Sequence, residues 1–133
     1  KTLLDEAENE RMHLMIFIEI AKPNWFERAI ILFAQFVFWH FYFVLYVLFP
    51  KTAHRMVGYF EDQAVISYTQ YLEEIDSGRV SNIPAPQIAI DYYTLKEDAR
   101  LRDVVLAVRA DEQGHADVNH SMADTLTHTK ETK

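Results

Sequence analysis

The sequence predicts an all-α protein, and three observations carry that expectation. Apolar residues recur at helical spacing through long stretches of the 133-residue chain. Helix breakers are confined to short junctions: Lys22-Pro23-Asn24, Pro50, Asp76-Ser77-Gly78 and Pro84-Ala85-Pro86. Two Glu-x-x-His pairs, Glu10/His13 and Glu112/His115, have the three-residue spacing that puts both side chains on one helical face. The length fits one domain, or part of one.

Leu3 to Ala21 is the first expected helix, closed by Lys22-Pro23-Asn24. Phe26 to Phe49 is the second, ended by Pro50. From Ala29 to Phe49 it carries no charged residue and is crowded with Phe, Trp, Tyr, Leu, Ile and Val. About 20 apolar residues are enough to span a bilayer. Gln35, Trp39, His40, Tyr42 and Tyr46 favour instead a helix lying in one leaflet or packed in a dimer seam, with a buried soluble helix as the plain alternative. The third helix is expected from about Thr52 to Ile75. Arg79 to Gln87 reads as a loop, because Pro84-Ala85-Pro86 forbids regular helix. Ile88 to Tyr93 favours a short helical turn over a strand. Glu97 or Asp98 is a candidate cap for the last helix, which is expected to run to about Leu126 before a frayed polar tail, Thr127 to Lys133. There is no initiator Met, signal peptide or transit peptide, and Lys1 to Asp5 already reads as helix. The chain is therefore expected to begin partway through a longer protein.

Half of the residues are hydrophobic and 14% aromatic, so a core is easily buried. The net charge of −7, with no basic stripe, argues against a nucleic-acid partner. There is no cysteine, which removes disulfides, thiolate zinc sites, iron–sulfur ligation and thiol nucleophiles together. Any metal chemistry must use His, Asp and Glu, which suit ions such as iron and manganese.

Eleven Glu and six His in this length yield roughly half a Glu-x-x-His pair by chance, so two pairs are suggestive only as spacing. Their neighbours add to them. Glu6, Glu10, His13 and Phe17 form one stripe beside Leu14 and Ile18. Val108, Glu112, His115 and Asn119 share a face between Val104/Val105 and Val118. Burying carboxylate and imidazole among hydrophobes is costly unless something compensates the charge, and a metal ion does so. Two such pairs, with one Glu from each of two further helices, make the ligand set of a carboxylate-bridged di-iron four-helix bundle. Glu61, one or two turns from Ala64, Val65 and Tyr68, supplies one of those two. The other has no counterpart here. Such carboxylates can bridge two irons, and one His per iron leaves positions open for dioxygen. Tyr68 could supply an electron and a proton, although spacing alone favours a hydrogen-bonded core tyrosine.

Other polar residues have plainer readings. Asp117 and His120 are rotated about 140° from Glu112, as solvent-facing groups or a local pair. Glu73 and Glu74 sit solvated at a helix end, and Glu6 and Glu8 on a solvated face. His40 is interfacial or core, His54 structural or surface, and His128 belongs to the tail.

The wording around the pairs is more specific than their spacing. Asn9-Glu10-Arg11-Met12-His13 resembles the Asn-Glu-Arg-Met-His motif of the alternative oxidases. Arg109-Ala110-Asp111-Glu112-x-x-His115 resembles that family's Arg-Ala-Asp-Glu-x-x-His motif, continued by Asp117-Val118-Asn119-His120. Pro84-Ala85-Pro86 with Ile88-Ala89-Ile90-Asp91-Tyr92 also fits, and Tyr59-Phe60-Glu61-Asp62-Gln63-Ala64-Val65 resembles the family's Leu-Glu-Glu-Glu-Ala stretch imperfectly. The resemblance covers essentially the whole chain in the right order.

It implies a ferritin-like di-iron four-helix bundle with three bundle helices present, plus an apolar membrane-surface helix, residues 1–133 forming the C-terminal part of one oxidase domain. The implied activity is ubiquinol oxidation coupled to reduction of O2 to water without proton pumping. The implied ligands of two Fe ions are Glu10, His13, Glu61, Glu112 and His115. The family's sixth ligand, a Glu in a Leu-Glu-Thr motif, belongs to a helix before Lys1, so the chain alone is expected to be inactive. Asn9 and Asp111 would orient ligands through hydrogen bonds. Tyr68 falls on the family's redox-active tyrosine. The implied quinol pocket draws on Phe38, Phe60, Gln63 and Ser67. The family usually has Leu, Glu and Thr at the last three, and Gln63 puts any proton-accepting role there in doubt; Asp62 likewise replaces a Glu. The resemblance further implies a homodimer held monotopically to one leaflet of membrane lipid, on the matrix side of the mitochondrial inner membrane, with a bacterial cytoplasmic membrane as the alternative. Rival readings are a plastid-type quinol oxidase, a di-iron quinone hydroxylase, a ferritin-like iron store, or an inactive helical fragment.

Overall fold

The helical periodicity of the sequence is realised in five helices: α1 (Thr2–Ala21), α2 (Trp25–Leu48), α3 (Pro50–Asp76), α4 (Gln87–Tyr93) and α5 (Leu101–Glu131). The structure, a computed structural model, describes residues 2–131 and the surroundings of side chains up to Leu126. Among the described residues the only β pairing is one isolated antiparallel bridge, Pro84 with Arg100. The all-α expectation holds.

Three boundaries depart most from the expectation. Pro50 does not simply end the second helix; it opens α3, two residues before Thr52. Its fixed φ and missing N–H suit the first helical position. α5 starts at Leu101, not beside Glu97 or Asp98. Its start is held by Asp103 Oδ2, which accepts from the Arg100 N–H (2.8 Å), and by Asn82 Oδ1, which accepts from the Arg102 N–H (3.0 Å). α5 also continues through Glu131, past the expected end at Leu126. Thr132 and Lys133 of the expected tail lie outside the described residues.

Asn24 starts α2 with a capping box. Its Oδ1 accepts from the Phe26 and Glu27 N–H groups, and Glu27 Oε2 accepts from the Asn24 N–H at 2.8 Å. Such a cap contributes about 1 kcal/mol.

Two units divide the chain, Lys1–Lys22 with Asp62–Gly114, and Pro23–Glu61 with His115–Lys133. Both divisions in α3 and α5 fall inside unbroken helices. In the first unit, Ile16 of α1, Ala89 of α4, and Val104 and Val108 of α5 form one buried cluster, with Phe17, Tyr68 and Tyr93 against it. Leu72, Ile75, Leu101 and Val105 form a second. In the second unit, the residues of α3 and α5 that exclude all solvent are small: Ala53, Ala116 and Ala123. α2 belongs to this unit and has no buried residue, although its apolar window has a mean hydropathy of 1.9. Its 24 residues are long and apolar enough to cross a membrane. The buried-helix alternative therefore finds no support within the described chain.

Candidate metal centre

The ligand candidates of the first unit converge on His13. α1 carries Asn9, Glu10 and His13 on adjacent turns, α5 brings Asp111 and Glu112, and α4 brings Tyr92 and Tyr93. His13 and Glu112 are each only 3% exposed. His13 Nδ1 lies 3.2 Å from Glu112 Oε1 and 3.4 Å from Glu10 Oε1. On the other side of the ring, Nε2 lies 2.9 Å from the Tyr93 hydroxyl and 3.2 Å from Asp111 Oδ2. Tyr93 donates to the same Asp111 oxygen at 2.7 Å. Asn9 Nδ2 donates to it at 2.9 Å and to the Tyr92 hydroxyl at 2.8 Å.

The electrostatics follow from this packing. Burial alone would lower the pKa of His13, but hydrogen bonds to Glu10, Glu112 and Asp111 outweigh it and push the imidazole up to about 10. Burial would raise Asp111, yet bonds from Tyr93, Asn9 and His13 hold it below the usual range. Burial and the adjacent Asp111 push the Tyr93 phenol upward. Glu10, Glu112 and His13 would together hold a cation, which would compete with the proton for the ring nitrogen.

Within the first unit, Glu10 of α1 and Glu112 of α5 each aim a carboxylate oxygen at His13 Nδ1. Three of the five expected ligands, Glu10, His13 and Glu112, are thus gathered in the first unit, while Glu61 and His115 belong to the second. This donor set of oxygen and imidazole nitrogen, with one carboxylate fully buried, fits a hard or borderline cation. Glu10 is its most exposed member, with a side chain 45% accessible.

The remaining candidates fall into place one by one. Tyr68 packs against both buried clusters of its unit and stacks on Phe17 at 5.7 Å. Phe38 and Phe60 meet at 5.9 Å and both stay about half exposed. Phe60 also borders a surface hollow of about 380 Å³ lined by Lys51, Thr52, Arg55, Met56 and Tyr59. Gln63 and Ser67 are exposed one turn apart, the Ser67 hydroxyl donating to the Gln63 carbonyl at 2.8 Å.

Asp117 is exposed, as the solvent-facing reading expects, whereas His120 is half-buried. Its Nδ1 accepts from Arg55 at 3.0 Å, and its ring lies against Gly58 and edge-on to Tyr59. His54 resolves as structural: it is 4% exposed and its Nδ1 donates to Asn119 Oδ1 at 3.0 Å. His40 is exposed and donates to the Phe36 carbonyl, which favours the interfacial reading over the core one. The side chain of His128 lies outside the described residues. Tyr92 and Tyr93 entered no sequence reading of the centre. The signal available was two phenols closing a short apolar turn, which is also what an ordinary amphipathic turn looks like.

An all-α chain that sets two carboxylates from two helices against a buried histidine has the donor arrangement of helical proteins that hold metal with oxygen and nitrogen ligands. The model of the family described as alternative oxidase matches residues 1–124. The chain is 62% identical over 124 residues to "Ubiquinol oxidase 1, mitochondrial" of Nicotiana tabacum, covering 93% of this chain and 35% of that protein. It is 57% identical over 133 residues to "Ubiquinol oxidase 1a, mitochondrial" of Arabidopsis thaliana, covering 100% and 38%. With "Ubiquinol oxidase, mitochondrial" of the fungus Batrachochytrium dendrobatidis it shares 58% over 124 residues, covering 93% and 39%. The chain belongs to the alternative oxidase family. It spans less than half the length of these curated relatives.

Proposed function

We propose that the intact protein oxidises ubiquinol and reduces O2 to water without pumping protons. The observation that carries this reading is the buried His13 ring seated against the Glu10 and Glu112 carboxylates, in a chain of the alternative oxidase family. Glu10, His13, Glu61, Glu112 and His115 would hold two iron ions, which supply the redox and oxygen chemistry when bound. Asn9 and Asp111 hold the His13 side of the centre in place through the hydrogen bonds described above. Tyr68, in its apolar setting against Phe17, is the residue assigned to give an electron and a proton. The quinol ring is assigned to the aromatic surface of Phe38 and Phe60, with Gln63 and Ser67 as its polar contacts. Gln63 is a neutral amide and cannot take up a quinol proton, so that proton leaves by another group.

α2 has no buried residue, carries Gln35 and His40 within its apolar stretch and is rich in interfacial aromatics, which supports attachment to one leaflet of a membrane. The relatives are named mitochondrial. We assign the protein to the matrix side of the mitochondrial inner membrane as a monotopic homodimer. Labelling of both ends of α2 from one side is expected, and opposite-side access would refute the monotopic assignment.

The test is metal analysis of the intact protein with oxygen uptake. Two irons per chain and cyanide-resistant uptake that requires ubiquinol are expected. Iron with uptake that never depends on quinol would sink the oxidase reading.

A further inference from the structure

We infer that Tyr93 is a positioning residue for the metal centre: its hydroxyl accepts the His13 Nε2 proton while donating its own to Asp111, so the Nδ1 lone pair is the one presented to a metal. The inference rests on the metal-centre reading above.

The argument is one of proton counting. Asp111 Oδ2 receives three contacts, from Tyr93 (2.7 Å), Asn9 (2.9 Å) and His13 (3.2 Å). A carboxylate only accepts, so the single phenolic proton is directed to Asp111. The Tyr93 oxygen is then left with acceptor capacity alone, and His13 Nε2 stands 2.9 Å from it. Nε2 must therefore carry a proton. The opposite neutral tautomer would aim an N–H at Glu10 and Glu112, and would leave the Nε2 lone pair facing a phenol whose proton is already committed. Asp111 alone is a poorer anchor, because its distance to Nε2 is the longest of the three. The hydroxyl of Tyr93, half-buried on α4, thus selects which imidazole nitrogen meets the carboxylate cluster. Partners of this kind behind a metal-binding histidine typically contribute about 10-fold or more in metal affinity.

The experiment compares the intact protein with Tyr93→Phe, which keeps the ring and removes the hydroxyl. Fe(II) affinity is measured anaerobically by competition with a chelator, and the His13 ring is read by 15N NMR in the diamagnetic zinc-loaded form. Iron binding about 10-fold weaker in the variant is expected, with zinc on Nδ1 and a protonated Nε2 in the unaltered protein. Equal iron affinity in the two proteins overturns the inference. An unaltered protein whose zinc sits on Nε2, or whose Nε2 lacks a proton, also overturns it, even if the Phe variant does not fold. Failure of the unaltered protein to take up either metal overturns the metal-centre reading beneath it.

Discussion

Replacing Glu112 by Gln removes one negative charge from the centre while leaving the shape of the side chain nearly unchanged. Glu112 is 3% exposed, and its Oε1 is 3.2 Å from His13 Nδ1. Without metal, the variant loses a charge-assisted hydrogen bond worth about 1.5–3 kcal/mol. It also escapes the desolvation cost of a buried carboxylate, which is of similar size and opposite sign. Metal-free stability is therefore expected to change by less than about 2 kcal/mol. The metal-dependent part behaves differently. At iron concentrations 100-fold above the dissociation constant, binding adds about 2.7 kcal/mol to the unaltered protein. A neutral amide offers the cation no anionic oxygen, so this increment is expected to vanish in Glu112→Gln. The assay is unfolding of the intact protein with and without Fe(II) under anaerobic conditions, alongside iron analysis. A variant that keeps both the full increment and two irons would refute the ligand assignment.

Two further outcomes follow from the same structure. His13 has a folded pKa raised to about 10, so its contribution to metal-free stability is fully present below about 6.5 and is lost as pH rises through about 10. Asp111, held low, contributes stability that is present above its ordinary value and lost on acidification. Metal-free stability should therefore decline from pH 6.5 to 10, while iron affinity rises over the same window as Nδ1 is freed. If that alkaline decline persists unchanged in His13→Gln, His13 is not its source. The helical glycines make a second comparison. A Cβ at Gly114 meets nothing within 4 Å, so Gly114→Ala should stabilise by about 1 kcal/mol. A Cβ at Gly58 meets the His120 ring at 2.6 to 2.9 Å, where Arg55 and Tyr59 hold it. Overpacking of that kind costs about 1–3 kcal/mol and cancels or reverses the gain. Equal stabilisation at both positions in denaturant titrations would contradict the placement of His120.

The sequence by itself determined the helices and the candidate ligand side chains. Helical periodicity and breakers are local, so Pro23, Pro50, Asp76-Ser77-Gly78 and Pro84-Ala85-Pro86 mark the ends of α1, α2 and α3 and the start of α4 to within about two residues. A three-residue spacing likewise fixes that Glu10 faces the same way as His13, and Glu112 the same way as His115, whatever surrounds them. Only tertiary structure decided which groups meet across large sequence separations. The start of α5 depends on Asn82, 20 residues away, which is why Glu97 and Asp98 were poor guides to it. His120 had no long-range signal in the sequence, yet its ring finds Arg55 across 65 residues. Tyr93 sits on a turn with no motif of its own, and it acquires a role because α4 delivers its hydroxyl between His13 and Asp111. Backbone geometry repeats every 3.6 residues and can be read along a line. The donor of a hydrogen bond 80 residues distant is set by packing, and packing has no period.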